Sequence, residues 1–473
     1  MTTIDTDYLV IGAGAVGMAF TDTMLTESDA HLTIVDRHGK PGGHWNDAYS
    51  FVALHQPSAF YGVNSLTLGS GRKDTHGVNS GLYELASGPE VSGYYDAVMR
   101  QQLLASGRVS YYPMSDYLGA KEPGGHRFRS LLSGDETQVN VRRRVVDATY
   151  YGTSVPATHT PRYAVADGVR LVTPNALPGL WMETSPPTRF CIIGAGKTAM
   201  DVGVWLLGSG AKPESISWVM PRDSWLLNRL RTQPGTEFFD EVFGGQAAQM
   251  EAFAQAATIE EIFERLETAG VVMRIDQSQQ PGMFHYATIS EGEVTQLRRI
   301  TNVIRMGRVQ SIERDHLVLD GGTHAMVPGT LYIDCTASAV ERRPTVPMFQ
   351  DGLITPQIVR VPQPAFSAAL VAYVEAHYDD DATKNRLCTP VPFPHNLSDY
   401  PHTNAANMMN QMQWMQDKPL SRWIRTSRLD GFGKLIAAVE PGDSARMAVL
   451  EKLRGNAMAA MVNLNRLAAE AAA

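Results

Sequence analysis

The chain has 473 residues, 49 acidic against 41 basic side chains, a formal charge of -8 and a hydrophobic fraction of 44%. Those values suit two or three globular domains with cores of their own and exclude a disordered chain; with no long basic block, they also exclude a nucleic-acid partner. Three cysteines, Cys191, Cys335 and Cys388, are too scattered for a CxxC pair and too few for a disulfide framework, and no metal-ligand spacing appears among them and the 13 histidines.

The N-terminus lacks a basic region followed by a long apolar run, and no segment approaches the roughly 18 uninterrupted apolar residues of a membrane span. A soluble protein in the reducing cytoplasm is expected. Residues 7–11, Asp-Tyr-Leu-Val-Ile, predict a strand that runs into Gly12-Ala13-Gly14-Ala15-Val16-Gly17 and then into the helical Met18-Ala19-Phe20. This is strand, GxGxxG, helix. Gly12 allows the tight turn, Gly14 lets a pyrophosphate approach the backbone at Ala15, and Gly17 lets helix and strand pack closely. The helix N-terminus offers free N–H groups and a positive dipole end to phosphate. A second strand, residues 31–35, ends in Asp36, where a carboxylate accepts hydrogen bonds from ribose hydroxyls.

Beyond the first turn, residues 91–106 predict a helix stopped by Gly107, and strands are expected at 109–112 and 141–151. The proline-containing stretch 153–187 reads as a linker between domains. Residues 189–193 then form another apolar strand, and Gly194-Ala195-Gly196-Lys197-Thr198-Ala199 opens another helix, with alanine tolerated at the third position. The following strand, 216–220, has no terminal acid and leads to Pro221-Arg222-Asp223. With no acid to hold a 2′-hydroxyl and a guanidinium to meet a 2′-phosphate, this second turn leans toward NADPH, a lean that Asp223 moderates.

Residues 246–269 predict a helix, 308–312 and 316–322 a hairpin, and 330–333 the strand on which the first nucleotide domain resumes. Segment 387–402, rich in proline, should be irregular, and 444–472 helical. Met408, Met409, Met412, Trp414 and Met415 at helical spacing favour core filling over a substrate pocket. The terminal helix reads equally as a cover for the chain's own core or for a subunit interface, which leaves a homo-oligomer open.

Position at the chain start, and the stretch Asp36-Arg37 followed by Gly42-Gly43-His44-Trp45, point to FAD at the first turn. Asp-Arg and then Gly-Gly-x-Trp resemble the class B flavin-dependent monooxygenases, which include flavin-containing, Baeyer–Villiger and N-hydroxylating enzymes. Trp218 to Trp225, around Arg222, resembles the segment in which that family meets the 2′-phosphate. Phe51-Val52-Ala53-Leu54-His55-Gln56-Pro57-Ser58 loosely resembles its stretch beside the oxygen-reactive face of the flavin. The resemblance places Gln56 where the family has an asparagine, with an amide that can donate and accept, and His55 beside it as proton donor or loop contact.

The resemblance is to a divergent member. Cys335-Thr336-Ala337 stands where Ala-Thr-Gly is usual, and no FxGxxxHxxx(F/Y/W) sequence lies between the two turns. It implies an α/β chain with two Rossmann-like dinucleotide-binding domains, the NADP domain (161–328) inserted into the FAD domain (1–160 and 329–400), and a helical C-terminal extension (401–473). The implied activity is reduction of FAD by NADPH and, through a C4a-(hydro)peroxyflavin, oxygenation of a small organic substrate by O₂. An NAD(P)H-dependent flavin oxidoreductase without oxygenation is the alternative, and a non-catalytic nucleotide-binding flavoprotein stands behind both. The expected cofactor contacts are Gly12, Gly14, Ala15, Gly17, Asp36, Arg37, Gly43, His44 and Trp45 for FAD, and Gly194, Gly196, Lys197, Thr198, Ala199 and Arg222 for NADPH. Nothing in the sequence specifies the substrate.

Overall fold

The computed structural model describes residues 2–122, 125–338 and 340–472. The strand Thr2–Ile11 lies between Leu32–Val35 and Glu136–Asp147, parallel to both, and Val109–Tyr112 extends the sheet beyond Leu32–Val35. Its apolar run reaches both faces, with Leu9 and Val10 fully buried, as central strands of covered parallel sheets require. Helix Ala15–Glu27 packs on one face beside helix Pro364–His377. In the latter, every residue from Ala365 to Val374 is buried, so it is apolar on all sides because it lies inside the core.

A second sheet, all parallel, has the order Asn302–Ile304, Ile216–Val219, Phe190–Ile193, Leu331–Asp334 and Leu171–Val172. Here the structure corrects the sequence reading. The strand at Leu331–Asp334, expected to resume the first nucleotide domain, pairs with Phe190–Ile193 and completes the second sheet. The first sheet resumes later, where Leu353–Ile354 lies parallel to Glu136–Asp147 and Phe349–Gln350 turns back on it. A run of four buried residues fits a central position in either sheet, so its pattern could not tell them apart.

Smaller differences have similarly local causes. The helix expected at 91–106 runs from Gly88 to Val98, continues through a widened turn and a 3-10 turn, and stops at Gly107 with φ +71°. The helix expected at 246–269 is two, Phe239–Gln255 and Ile259–Thr268, because Thr258 caps the second through Glu261 N. The stretch 153–187 is docked and not merely connecting, since Leu171–Val172 pairs with Leu331–Asp334 and Ala164–Val165 with Val309–Ile312. That hairpin, Val309–Ile312 with His316–Leu319, forms as expected.

The C-terminal part is helical: Tyr400–Gln416, Lys418–Thr426, Phe432–Ala437 and Ser444–Ala472. The last packs along Phe239–Gln255, burying Ala460, Met461, Leu464 and Leu467 with Phe253 and Phe263. In the methionine group, Met408 and Trp414 are buried in core clusters, whereas Met409 and Met415 are exposed. No helix among the described residues is long and apolar enough to cross a membrane.

Candidate functional site

At the first turn, Gly12 has φ +98°, and a Cβ there would stand 2.9 Å from the Thr149 methyl. A Cβ on Gly17 would stand 1.9 Å from the Gly12 carbonyl oxygen, so helix and strand touch through the missing side chain. Gly14 is different. It is extended, and a Cβ would meet only the backbone of Gly43, at 3.6 Å. Helix Ala15–Glu27 begins with no side-chain cap, which leaves the first N–H groups, those of Ala15 and Val16, for an outside acceptor.

Asp36 is buried at the end of Leu32–Val35. Its Oδ2 accepts from Ala13 N at 2.5 Å, and its Oδ1 from His38 N at 2.7 Å and from the His38 ring at 3.0 Å. The other ring nitrogen of His38 meets Asp47 Oδ2 at 2.9 Å. The hydrogen bond to Asp36, opposed by burial and helped by Asp47, raises the imidazole to about 9, so His38 is a cation at neutral pH. Gly42 N donates to Ala13 O at 2.9 Å, and Gly43 lies against Gly14, so the Gly42-Gly43 pair folds back over the turn. His44 stacks on Trp45, whose indole N–H donates to Tyr61 Oη at 2.8 Å, and burial drops the His44 ring to about 4. Arg37 is exposed and reaches Asp116 at 3.3 Å, so its side chain is engaged with the hairpin beyond Val109–Tyr112.

The second turn repeats this construction. Gly194 has φ +124° and would bring a Cβ within 2.6 Å of Cys335 O, while a Cβ on Gly196 would meet nothing within 4 Å. Helix Lys197–Gly208 is also uncapped, its Ala199 fully buried and its first N–H groups, on Lys197 and Thr198, facing outward for an acceptor. The Lys197 ammonium does not join them. It pairs with Asp201 and, at 3.1 Å, with Glu293, whose other oxygen takes Arg229 at 2.7 Å. Sequence reasoning missed this cluster because its members come from three distant segments.

The two turns are joined by residues 43–58. Tyr49 Oη donates to Asp201 at 2.7 Å, Phe51 stacks on Trp205 at 4.9 Å, and Asn175 donates to Asp47 O at 3.0 Å. Arg229 donates to His55 O at 2.8 Å and to Asn79 at 3.0 Å. His55 is half-buried, and burial followed by the charges of Lys197 and Arg229 drives its ring well below the usual value. That favours the neutral imidazole, which still carries one N–H donor. Gln56 beside it is also half-buried.

Arg222 follows Ile216–Val219, is exposed, and has no ion pair among the described residues. Its neighbour Asp223 is held by Arg305, a residue with no motif to announce it, through contacts of 2.8 and 3.0 Å. A cavity of about 840 Å³ opens beyond the strands Glu136–Asp147, Leu331–Asp334 and Leu353–Ile354. Tyr150, Tyr151, Arg342, Arg343, Phe393 and His395 line it, and the end of the terminal helix covers it at Ala468 and Ala471. Crevices outside the carboxyl ends of parallel strands are where α/β proteins bind ligands. All three cysteines are buried and free, with burial raising each thiol, and no metal-holding group occurs among the described residues.

The fold defined by these sheets and turns is similar to that of two ketone monooxygenases of known structure. The polycyclic ketone monooxygenase of Thermothelomyces thermophila is 13% identical, covers 100% of this chain and 88% of its own, and superposes with a TM-score of 0.51. Cyclohexanone monooxygenase in its rotated, cyclohexanone-bound form is 12% identical, with coverage of 96% and 98% and the same TM-score of 0.51. At that identity the likeness is one of fold.

The chain belongs to the family of Mycobacterium tuberculosis protein Rv2000 and Mycobacterium bovis protein Mb2023. It is 48% identical to each over 451 residues, which is 95% of this chain and 81% of theirs. No family model matches it.

Proposed function

We propose that the chain is an FAD-dependent, NADPH-using monooxygenase acting on a small organic substrate, with the NADPH-binding unit inserted between the two parts of the FAD-binding unit. One observation carries this reading: two glycine turns, each opening an uncapped helix on the parallel strands of its own sheet, are bridged directly by residues 43–58. A dinucleotide on each turn would bring a hydride donor and a flavin to the same seam.

The residues fit both groups. Gly14 and Gly196 leave open the places a Cβ would take, and neither helix has an acid in its first turn to repel phosphate. Asp36 accepts three N–H contacts, and a carboxylate with about four lone-pair positions still has room for a ribose hydroxyl. Arg222 would meet the 2′-phosphate.

Bound FAD would supply hydride acceptance from NADPH and then reaction with O₂. The chain's own part is to hold, orient and exclude. Backbone N–H groups at Ala15 and Lys197 would hold phosphates. His44 and Trp45, stacked on each other, would wall the seam, and the half-buried Gln56 amide would orient an oxygen atom there. The cavity beyond Tyr150 and Phe393 would receive the substrate, between those aromatic rings and the charged Glu341, Arg342 and Arg343. Buried, high-pKa thiols give electrons no dithiol to reach.

The test is NADPH consumption by the aerobic, flavin-loaded protein with a panel of amines, sulfides and ketones, coupled to mass analysis with ¹⁸O₂. Label in a product, together with substrate-stimulated NADPH use, supports oxygenation. NADPH use that yields only peroxide or a reduced acceptor, whatever the substrate, assigns a reductase.

A further inference from the structure

The loop that presents Arg222 also carries a carboxylate, and a carboxylate at the end of this strand favours ribose hydroxyls and opposes a phosphate at the 2′ position. The structure shows where that carboxylate is spent. Arg305 follows Asn302–Ile304, the strand that runs parallel to Ile216–Val219 with Val219 opposite Ile304, so the two loops leave the sheet side by side. Its guanidinium takes Asp223 as a fork, Nε to Oδ2 at 2.8 Å and Nη2 to Oδ1 at 3.0 Å, and also reaches Asp276 Oδ2 at 3.0 Å. Both oxygens of Asp223 are thus occupied, and its side chain is only 13% exposed. Arg222, next to it in sequence, stays exposed and unpaired among the described residues.

We propose that Arg305 sets the nucleotide preference by occupying Asp223, so that a group at the ribose 2′ position meets the free charge of Arg222 and not the carboxylate. Arg305 is a positioning residue: it acts through Asp223. A fork between guanidinium and carboxylate is the geometry that fixes a carboxylate's direction as well as its charge, which a lysine would not do. Arg305 stays charged throughout, because the hydrogen bond to Asp223 raises its pKa further. The inference rests on the NADPH reading and specifies how the site reaches it.

The test uses two probes that carry no nicotinamide, 2′,5′-ADP and 5′-AMP, titrated calorimetrically into the flavin-loaded protein. Wild type should prefer 2′,5′-ADP. Arg305→Met should weaken 2′,5′-ADP about tenfold and leave 5′-AMP within about twofold, because an exposed carboxylate repels only the 2′-phosphate. Adding Asp223→Asn to Arg305→Met should restore most of the loss. A double variant that stays weak would make Arg305 a direct phosphate ligand, and equal loss of both probes would make it structural; either overturns the proposal. Asp223→Asn alone removes no cation and is the variant to read if Arg305→Met does not fold. It should tighten 2′,5′-ADP several-fold, and weakening instead overturns the proposal. A wild type with no preference for 2′,5′-ADP sinks the NADPH reading itself. A preference that Arg222→Ala abolishes and Arg305→Met leaves intact sinks only the role of Arg305.

Discussion

Gly14 and Gly17 are three residues apart in one motif and have opposite reasons to be glycine. A Cβ on Gly17 would lie inside the Gly12 carbonyl, whereas one on Gly14 would sit at ordinary contact distance from Gly43. Gly14→Val should therefore fold, with a thermal midpoint near that of wild-type apoprotein, yet retain no flavin, while Gly17→Val should fail to fold; absorbance and circular dichroism of the two proteins decide it. A flavin-retaining Gly14→Val would show that the phosphate cradle lies elsewhere. His38 offers a second test at this scale. Its imidazole is raised to about 9 between Asp36 and Asp47, so its contribution to stability is complete below about 6.5 and is lost as pH rises through about 9. Denaturant midpoints of wild type should fall across that window, and those of His38→Ala should fall less.

Among the elements, the segment 43–58 and helix Lys197–Gly208 are held together by a buried set of two cations and two anions, Lys197 and Arg229 with Asp201 and Glu293. Burial alone would raise Glu293, but Lys197 and Arg229 outweigh it and hold the carboxyl near 2. Its share of stability is thus present above the ordinary value of about 4.5 and lost as pH falls toward 2. Removing one member leaves charge without a partner. Glu293→Ala should cost about 3–5 kcal/mol in urea unfolding at neutral pH, and a loss below about 1 kcal/mol would mean that water reaches the cluster. Just past this segment, Arg428, in the turn between Lys418–Thr426 and Phe432–Ala437, donates to Ala59 O at 2.7 Å and Tyr61 O at 2.9 Å, so the C-terminal part holds the chain where the segment ends. That gives the helical extension a structural task close to the seam.

Across the whole molecule, what could be read in advance was what lies close together in sequence. Both glycine turns with their flanking strands and helices follow from short spacings, and the structure has the turns and strands where those spacings put them. Arg305, the Glu293 cluster and the cavity beyond Tyr150 were not legible, because each assembles residues tens to hundreds of positions apart. Leu331–Asp334 was misassigned for a different reason: a fully buried strand carries no facial pattern to say which sheet it completes. Lys197 shows a third kind of failure, in which motif position speaks only for the backbone and is silent about a side chain that turns inward.

The central claim is that two nucleotides meet across residues 43–58. Anaerobic titration of the purified, flavin-loaded protein with NADPH, followed by the flavin's visible absorption, tests it most directly. The account predicts bleaching that is complete near one NADPH per flavin and markedly slower with NADH. A protein that retains no flavin, or a bound flavin that NADPH leaves oxidised, would contradict it.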